Sequence, residues 1–434
     1  MVSSTLGVPE PDGGDSPVAS PAGMSSPELD MLPDTGPASV IVSDESVLLC
    51  STRSTFDAVT AAYTPRVDER RGIALERRAA LRAAVLTAVA LGVAVVILAL
   101  AMGGPAYFLQ LGAESPGLAK AQEVLGADVV TPLPDGHDGD RFWQLARDPL
   151  LRNDQSLERY LDRPIYRAQR IGYPALVAPW RLFGEGALLW GMVITNIVAI
   201  GVGSYLVGLW SAAHGGPGRL AYAFAFNPLA LYSLLFDLGD AVALAALMAA
   251  VHLFQRRRAG PMVIAACLGA LAKEPTLLAL GAVALLARER PIKDRCLLVV
   301  PAAIAAGAWR LYILTRPDLS GGAGVREFTR VPLSGFVDSW RFAWWPEAEW
   351  SQAIPSLGLL AVAVACVVLW ARAPRRVELA AALPFALMAP FLAPIVVSVS
   401  TNTVRALGPA LLFLSIHVVL RRYERSALPT SPRV

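Results

Sequence analysis

The stretch that decides the fold is residues 83–113, AAVLTAVALGVAVVILALAMGGPAYFLQLGA, which contains no charged residue. Its apolar part, at about 83–103, is long enough to cross a bilayer as a helix, which takes about 20 residues. The run Gly103-Gly104-Pro105 then ends that helix. Comparable apolar segments recur to the end of the chain, without the weak alternation that is typical of membrane β-barrels. The sequence therefore predicts an all-α membrane protein.

The composition excludes several other classes of protein. Hydrophobic residues make up 55% of the chain and charged residues 17%, whereas about a quarter of an average soluble domain is charged. The net charge of +3 is small, and no basic tract with interleaved aromatics suggests a nucleic-acid partner. The four cysteines form no CxxC motif or Cys/His cluster, which argues against a zinc site and a disulfide framework. Nucleotide-binding and GxSxG motifs are absent from the sequence.

The pattern of charges predicts the topology. Short cytoplasmic loops are rich in Lys and Arg, and basic runs follow every second apolar segment. We expect about ten transmembrane helices, a plasma-membrane location, and both termini in the cytoplasm. The expected spans are 83–103, 185–210, 219–236, 240–255, 260–273, 275–287, 296–314, 354–371, 378–397 and 406–420.

Two domains follow from this topology. Residues 1–75 begin with a segment rich in Pro, Ser, Gly and Asp, a composition that buries little apolar surface, and they are predicted to be a disordered cytoplasmic tail. Residues 80–425 are predicted to be the membrane domain. It carries a large first extracytoplasmic loop, 104–172, and a second one, 315–352.

Charged residues gather at the predicted outer face, where we place the candidate site. Asp138 and Asp140, in the first outer loop, are the candidate catalytic carboxylates. A charge within a membrane segment costs about 2.5–3.5 kcal/mol on insertion scales, so such charges are usually functional. The alternative for each of these residues is an ordinary solvent-exposed charge at the membrane edge, with no role in a site. The candidate substrate-binding residues come from segments far apart in the chain: Arg167, Arg170, Asp237, Asp240, Lys273, Glu274 and Arg405.

The run DGHDGD at 135–140 has the residue types of a calcium loop but not the EF-hand pattern. An EF-hand loop needs a glutamate at its twelfth position, and counting from any of the three aspartates gives another residue there. No metal ligands are therefore assigned, although carboxylates suit a hard cation such as Mg²⁺ or Mn²⁺.

The order of these motifs resembles the GT-C superfamily of integral-membrane glycosyltransferases, which use polyprenyl-phosphate sugars. The similarity covers roughly residues 80–425, and bacterial mannosyl- and arabinosyltransferases are the members it resembles most. The motifs that carry it are DGDRF at 138–142, ARDP at 146–149, YRAQRIGYP at 166–174, AKEPT at 272–276, and Arg405 before the last helix.

The resemblance implies a catalytic carboxylate on the first outer loop, which Asp138 matches best. Many relatives carry a neutral residue at the position of Asp140, so the resemblance leaves open which acid is the base. Contacts to the donor phosphate would fall on Arg405, Lys273 and Arg170.

The expected function is transfer of a sugar from a polyprenyl-phosphate donor to an acceptor hydroxyl on the extracytoplasmic face, with inversion. The expected partners are that donor, a glycan or glycolipid acceptor, and membrane lipid. The alternative is a lipid or solute transporter or flippase, against which we weigh the lack of an internal repeat and the placement of charges at one face. A non-catalytic scaffold is the third interpretation.

Overall fold

The computed structural model describes residues 67–115, 117–126, 136–152, 161, 163–316, 327–343 and 350–427. Most of the predicted tail, residues 1–66, lies outside this part of the chain. Helix α1 already begins at Val67, so residues 67–75, the last part of the predicted tail, are helical. The arginines that precede the first apolar segment are thus part of α1, the same helix that contains this segment.

The described residues are organised as helices, with one isolated β-bridge between Phe328 and Leu392. The α-helices, in chain order, are α1 Val67–Ala101, α2 Leu118–Leu125, α3 Asp138–Arg147, α4 Pro164–Ala168, α5 Gly172–Val177, α6 Glu185–Ala213, α7 Tyr222–Ala225, α8 Pro228–Leu235, α9 Asp240–Gln255, α10 Ala259–Ala272, α11 Pro275–Leu286, α12 Ile292–Leu314, α13 Ser334–Ala343, α14 Trp350–Arg372, α15 Val377–Met388, α16 Pro394–Val397 and α17 Ser400–Ala427. Short 3₁₀-helices cover Pro105–Leu109, Ala178–Phe183, Gly218–Ala221 and Ala389–Phe391.

Within the described part of the chain, 5 helices are long and apolar enough to cross a membrane. They are Gly72–Ala101, Glu185–Ala213, Ile292–Leu314, Ile354–Arg372 and Thr401–Glu424. Each coincides with one of the expected spans, which supports the prediction of an all-α membrane protein. The expected spans at 240–255, 260–273 and 275–287 correspond to the shorter apolar helices α9, α10 and α11.

Two of the expected spans are not continuous helices. The segment 219–236 forms a 3₁₀-helix, α7 and α8, with a break before Pro228, because proline has no N–H to donate to the preceding turn. Asn227 caps α8: its Oδ1 accepts a hydrogen bond from the backbone N–H of Leu229 at 3.0 Å. Its Nδ2 also donates to the carbonyl of Gly408 in α17 at 2.8 Å. The break therefore joins α8 to α17. The segment 378–397 is likewise divided into α15, a 3₁₀-helix and α16.

Helix α9 is the buried centre of the bundle. Side chains on all its faces are shielded, including Leu244, Leu247, Met248 and Val251. A helix that is apolar all round is normally buried, and α6, α10 and α11 pack around this one. Its length of 16 residues is therefore set by neighbouring helices as much as by the bilayer.

The contact between α1 and α6 depends on a glycine. A Cβ at Gly208 would lie 2.5 Å from the Cβ of Ala80 and 2.7 Å from the carbonyl oxygen of Gly218. We expect Gly208→Ala to lower the free energy of unfolding by about 1–3 kcal/mol, because overpacking forces the helices apart. Thermal unfolding in detergent measures this. The control is Gly186→Ala in the same helix, where nothing lies within 4 Å. An equal response of the two variants would contradict the packing argument.

Candidate functional site

The candidate site begins at the N-terminus of α3, where Asp138 is the first helical residue. His137 caps this helix, and its Nδ1 accepts a hydrogen bond from the backbone N–H of Asp138 at 2.9 Å. The His137 ring stacks on Phe236 with centroids 4.7 Å apart. Burial lowers the pKa of His137 to about 4, so the ring is neutral at physiological pH and its Nδ1 can accept. The cap thus fixes the start of α3 against the turn after α8.

Gly139 allows α3 to approach that turn closely. A Cβ at this position would lie 2.5 Å from the carbonyl oxygen of Phe236 and 3.1 Å from that of Leu109. Only a residue without a side chain fits there. The small residue between the two aspartates is therefore what brings Asp138 close to the first residue of α9.

Two arginines hold the Asp138 carboxylate. Arg167 Nη1, in α4, lies 2.6 Å from Asp138 Oδ1, and Arg405 Nη1, in α17, lies 2.8 Å from Asp138 Oδ2. Burial would raise the pKa of Asp138, but the two guanidinium groups outweigh it and hold the pKa well below its usual value. Asp138 is therefore ionised at any physiological pH. About 14% of its side chain is exposed, so a ligand can reach it.

Arg405 also bridges to a second aspartate. Its Nε lies 2.6 Å from Asp240 Oδ2, at the start of α9. The other oxygen of Asp240 accepts a hydrogen bond from Lys273, which lies between α10 and α11. One guanidinium thus links α3 and α9 to α17, and the lysine adds α10 to the same network.

Arg170 forms the second half of the cluster. Its Nε lies 3.2 Å from Glu274 Oε1, before α11, and its Nη2 lies 3.8 Å from Glu327 Oε1. The guanidinium carbon of Arg170 lies 4.3 Å from the ring centroid of Tyr166, whose hydroxyl donates to Glu327. Glu274 and Glu327 are about one-third exposed, so this half of the cluster opens towards solvent.

Helix α12 contacts the turn between Arg167 and Arg170 through two hydrogen bonds. Trp309 Nε1 donates to the carbonyl of Ala168 at 2.8 Å, and Arg310 Nη1 donates to Gln169 Oε1 at 2.7 Å. These two bonds fix the turn between Arg167 and Arg170. Arg310 therefore positions this turn and lies outside the charged cluster itself.

Asp140 has a different environment from Asp138. Its side chain is fully buried, it accepts a hydrogen bond from Ser115, and Arg141 Nη1 lies 3.6 Å away. Arg141 in turn donates to the carbonyl of His137 at 2.8 Å. These contacts tie the first loop to α3, so Asp140 contributes to the local fold rather than to the accessible part of the site.

Asp237 is also apart from the charged cluster. It lies in the turn between α8 and α9, is completely buried and has a left-handed backbone, with φ of 47°. Among the described residues, no hydrogen bond of full geometry reaches its carboxyl oxygens, although the Asn196 side chain lies close enough to affect the pKa of this group. Burial raises the pKa of Asp237 well above its usual value, and only the Asn196 side chain acts in the other direction. Asn196 Nδ2 donates to the Tyr173 hydroxyl at 3.1 Å. The carboxyl therefore keeps its proton to a higher pH than an ordinary aspartate does.

The structure therefore brings together most, but not all, of the residues chosen from the sequence. Asp140 and Asp237 are buried beside the cluster. Two members, Tyr166 and Glu327, were not chosen. The sequence could have indicated Tyr166, since an aromatic residue close to two arginines often stacks on a guanidinium. The sequence could not have indicated Glu327, because it is a single acid in a long loop and only the tertiary fold brings it to Arg170. The members that meet are Asp138, Arg167, Arg170, Asp240, Lys273, Glu274 and Arg405.

The arrangement can bind a ligand that has both an anionic group and hydroxyls. Arginine side chains bind phosphate through paired hydrogen bonds, and exposed carboxylates accept hydrogen bonds from hydroxyl groups. Within the described ranges, no group of three or more His, Cys, Asp or Glu side chains could hold a metal ion.

No family model, curated protein or solved structure matches the chain.

Arg405 is the residue on which the cluster depends. We expect Arg405→Met to lower the free energy of unfolding by about 3–5 kcal/mol, because it removes one of the two cations that pair with the partly buried Asp138 and one of the two that pair with the buried Asp240. Arg376→Met is the matched control, since Arg376 pairs with Glu424 and both are about one-third exposed; such pairs contribute about 0–1 kcal/mol. Unfolding in detergent compares the two variants. A similar small loss in both would show that the bridge is unimportant.

The raised pKa of Asp237 predicts how stability depends on pH. The folded protein keeps the proton above pH 4, where the unfolded chain releases it, so this group makes stability fall as pH rises towards the folded pKa. Asp237→Asn removes this effect. We expect the variant to be at least as stable as the wild type at pH 5, and its advantage in the free energy of unfolding should grow as the pH rises above the pKa of an ordinary aspartate. Glu289→Gln, at an exposed position, should change nothing. A stability difference that shrinks as the pH rises would contradict a raised pKa of Asp237.

Proposed function

We propose that the protein is a membrane glycosyltransferase. It transfers a sugar from a polyprenyl-phosphate donor to a hydroxyl of a glycan or glycolipid acceptor on the extracytoplasmic face of the plasma membrane, with inversion. The observation that carries this proposal is the meeting of Asp138 with Arg167 and Arg405, from three distant segments, at one end of a bundle of apolar helices. The GT-C-like arrangement of motifs agrees with it.

The position of the cluster suits a lipid-linked substrate. Arg405 lies near the start of the apolar span Thr401–Glu424, and Lys273 follows the end of α10. The charges are thus at the ends of apolar helices, where the phosphate of a lipid would lie at headgroup level while its chain remains among apolar side chains. A soluble donor would not need this placement.

The reaction assigns the pieces of the cluster as follows. The acceptor oxygen attacks the anomeric carbon from the face opposite the phosphate, and the bond between that carbon and the phosphate oxygen breaks. Asp138 accepts the proton of the acceptor hydroxyl as general base. The polyprenyl phosphate leaves with the bonding electron pair, and Arg405 and Lys273 neutralise its charge. Nearby carboxylates stabilise the positive charge that develops on the sugar.

Substrate binding would also tune the base. Without substrate, the two arginines hold the pKa of Asp138 well below its usual value, which makes the carboxylate a weak base. A donor phosphate competes for the same guanidinium groups. As Arg405 and Arg167 turn to the phosphate, the pKa of Asp138 rises towards that of an ordinary carboxyl. The base thus becomes stronger only when the donor is bound.

The second half of the cluster would bind the sugar. Glu274 and Glu327 are partly exposed and share Arg170, and their oxygens can accept hydrogen bonds from sugar hydroxyls. The Tyr166 ring beside Arg170 offers an apolar face. Arg170 itself holds the two glutamates in place through its ion pairs.

The topology of about ten spans with cytoplasmic termini remains part of this proposal. The apolar helices α9, α10 and α11 are short for a roughly 30 Å core, and α9 is buried by its neighbours. They would cross as tilted or enclosed helices. In this arrangement, the first extracytoplasmic loop contains α3, and Asp138 faces the outside.

A lipid or solute transporter is the second candidate, and the broken helices favour it. Transporters often use discontinuous helices that unwind at the substrate site, and the segments at 226–228 and 389–394 are interrupted in this way. However, the charges lie at helix ends and not at the middle of the membrane. Uptake of lipid-linked sugars or solutes into proteoliposomes, without transfer to an acceptor, would favour the transporter.

Asp138→Asn tests the proposed base. We expect transfer from a polyprenyl-phosphate sugar to fall by about 10²–10⁴-fold, because the amide cannot accept the proton. Asp140→Asn should lower thermal stability more than the turnover of the folded fraction, since Asp140 is buried against Ser115. Glu114→Gln, an exposed acid of the same loop, is the control and should leave transfer unchanged. Full activity of folded Asp138→Asn would rule out Asp138 as the base.

A further inference from the structure

A second basic site lies at the other end of α17. There, a cavity of about 630 Å³ is lined by the end of α14 and the last turns of α17, with Leu369, Arg372, His417, Val418 and Arg421 among its walls. An adjacent cavity of about 660 Å³ lies on the far side of α17. Arg422 lines both cavities, so they form one amphiphilic surface around the end of the helix.

This surface is remote from the candidate active site. Arg405 and Arg421 are sixteen residues apart on the same helix, which corresponds to about 24 Å at a rise of 1.5 Å per residue. That distance approaches the thickness of the hydrocarbon core. The two charged ends of α17 thus lie near opposite boundaries of the membrane, and the inference below does not depend on the proposed glycosyl transfer.

In the part of the chain that the structure describes, no carboxylate lies within ion-pair distance of Arg372, Arg421 or Arg422, although the charge of Arg421 helps to lower the pKa of Glu424. No ion pair or hydrogen bond links Arg372, Arg421 or Arg422 to another described side chain. The acids nearby are already engaged: Glu424 pairs with Arg376, and Glu378 lies 3.0 Å from the ring nitrogen of His417. Three guanidinium groups that form no ion pair with a described side chain therefore line one cavity, in contrast to the paired cluster at the other end.

Apolar side chains complete the cavity walls. Leu369 and Val418 lie beside the arginines of the first cavity, while Leu220, Tyr222 and Val419 line the second cavity next to Arg219 and Arg422. More than half of the Val418 side chain is exposed, at 54%. A small anion would use the guanidinium groups alone. A molecule with an anionic head and an apolar chain would use both kinds of wall.

We propose that this surface binds the headgroup of an anionic phospholipid. Arg372, Arg421 and Arg422 hold the phosphate, since arginine offers paired donors that match phosphate oxygens. The acyl chains follow Leu369 and Val418 along the outside of α14 and α17. Basic pockets between membrane helices are suited to such headgroups. Inorganic phosphate has the same recognition chemistry but would leave the apolar walls without a partner.

Native mass spectrometry of the purified full-length protein in detergent tests this proposal. Phosphatidylglycerol and phosphatidylcholine with identical acyl chains are added in turn. We expect the wild type to prefer phosphatidylglycerol by at least about 10-fold. The triple variant Arg372→Gln/Arg421→Gln/Arg422→Gln should bind it about 100-fold more weakly, since each basic residue near an anionic lipid adds to the affinity. Unchanged affinity in this variant would overturn the proposal.

A matched control separates this site from general attraction to basic loops. Arg256→Gln/Arg257→Gln/Arg258→Gln removes the same number of charges from three exposed positions between α9 and α10. This variant should retain phosphatidylglycerol affinity within about 3-fold, and an equal loss would show that no specific site exists. The single variant Arg421→Gln is measured as well, in case the triple variant fails to fold, and should lose about 5-fold.

A competition experiment separates the two sources of phosphate. Inorganic phosphate or glycerol 3-phosphate is added at millimolar concentration to the lipid-bound protein. We expect phosphatidylglycerol to remain bound, because the apolar walls hold its chains. Displacement by either soluble phosphate would overturn the assignment to a lipid and leave a site for a free phosphate.

Discussion

Charges inside a bundle of apolar helices must be paired, because an isolated ion in a low-dielectric interior costs several kcal/mol. Arg405 meets this requirement for two aspartates at once, through 2.8 Å to Asp138 and 2.6 Å to Asp240. Since each aspartate begins a different helix, their pairing fixes α3 and α9 relative to α17. Lys273 and Arg167 then complete the set of partners. The geometry of the half of the site around Asp138 and Asp240 follows from this one bridging guanidinium.

The same bridge explains how a large first loop can carry a well-defined site. Helix α3 belongs to a loop between membrane segments, yet three features hold it: the cap by His137, the close approach at Gly139 and the ion pairs of Asp138. The His137 ring and Gly139 hold α3 against the turn after α8, and the ion pairs of Asp138 join it to α4 and α17. A reactive group on a loop needs such support to keep its orientation when substrate enters. The close packing at Gly139 and the ion pairs of Asp138 provide this support.

The two ends of α17 differ in the balance of their charges. At the Arg405 end, every cation of the cluster faces a carboxylate, so the free site is nearly neutral and a ligand must exchange ion pairs to bind. At the Arg421 end, the arginines of the cavity form no ion pair with a described side chain, so an anion can bind without displacing another. A ligand that binds at the Arg405 end therefore has to compete with existing ion pairs. A ligand that binds at the Arg421 end meets no such competition among the described residues.

The sequence by itself determined the class of fold and the segments that carry charge. Apolar length is a local property, so the run at 83–113 and its later counterparts identified the helical membrane protein directly. The sequence did not show where helices are interrupted. Pro228 and the cap at Asn227 break the segment 219–236, and the Asn227 amide also donates to a carbonyl of α17, a contact that only the tertiary structure creates. Only the tertiary structure decided which acids meet which bases. Asp138 and Asp140 look alike in DGDRF, but the helix start directs one to Arg405 and the other to Ser115. Glu327 came to Arg170 from a distant loop, and pairing across 100 or more residues is set by packing, not by sequence pattern.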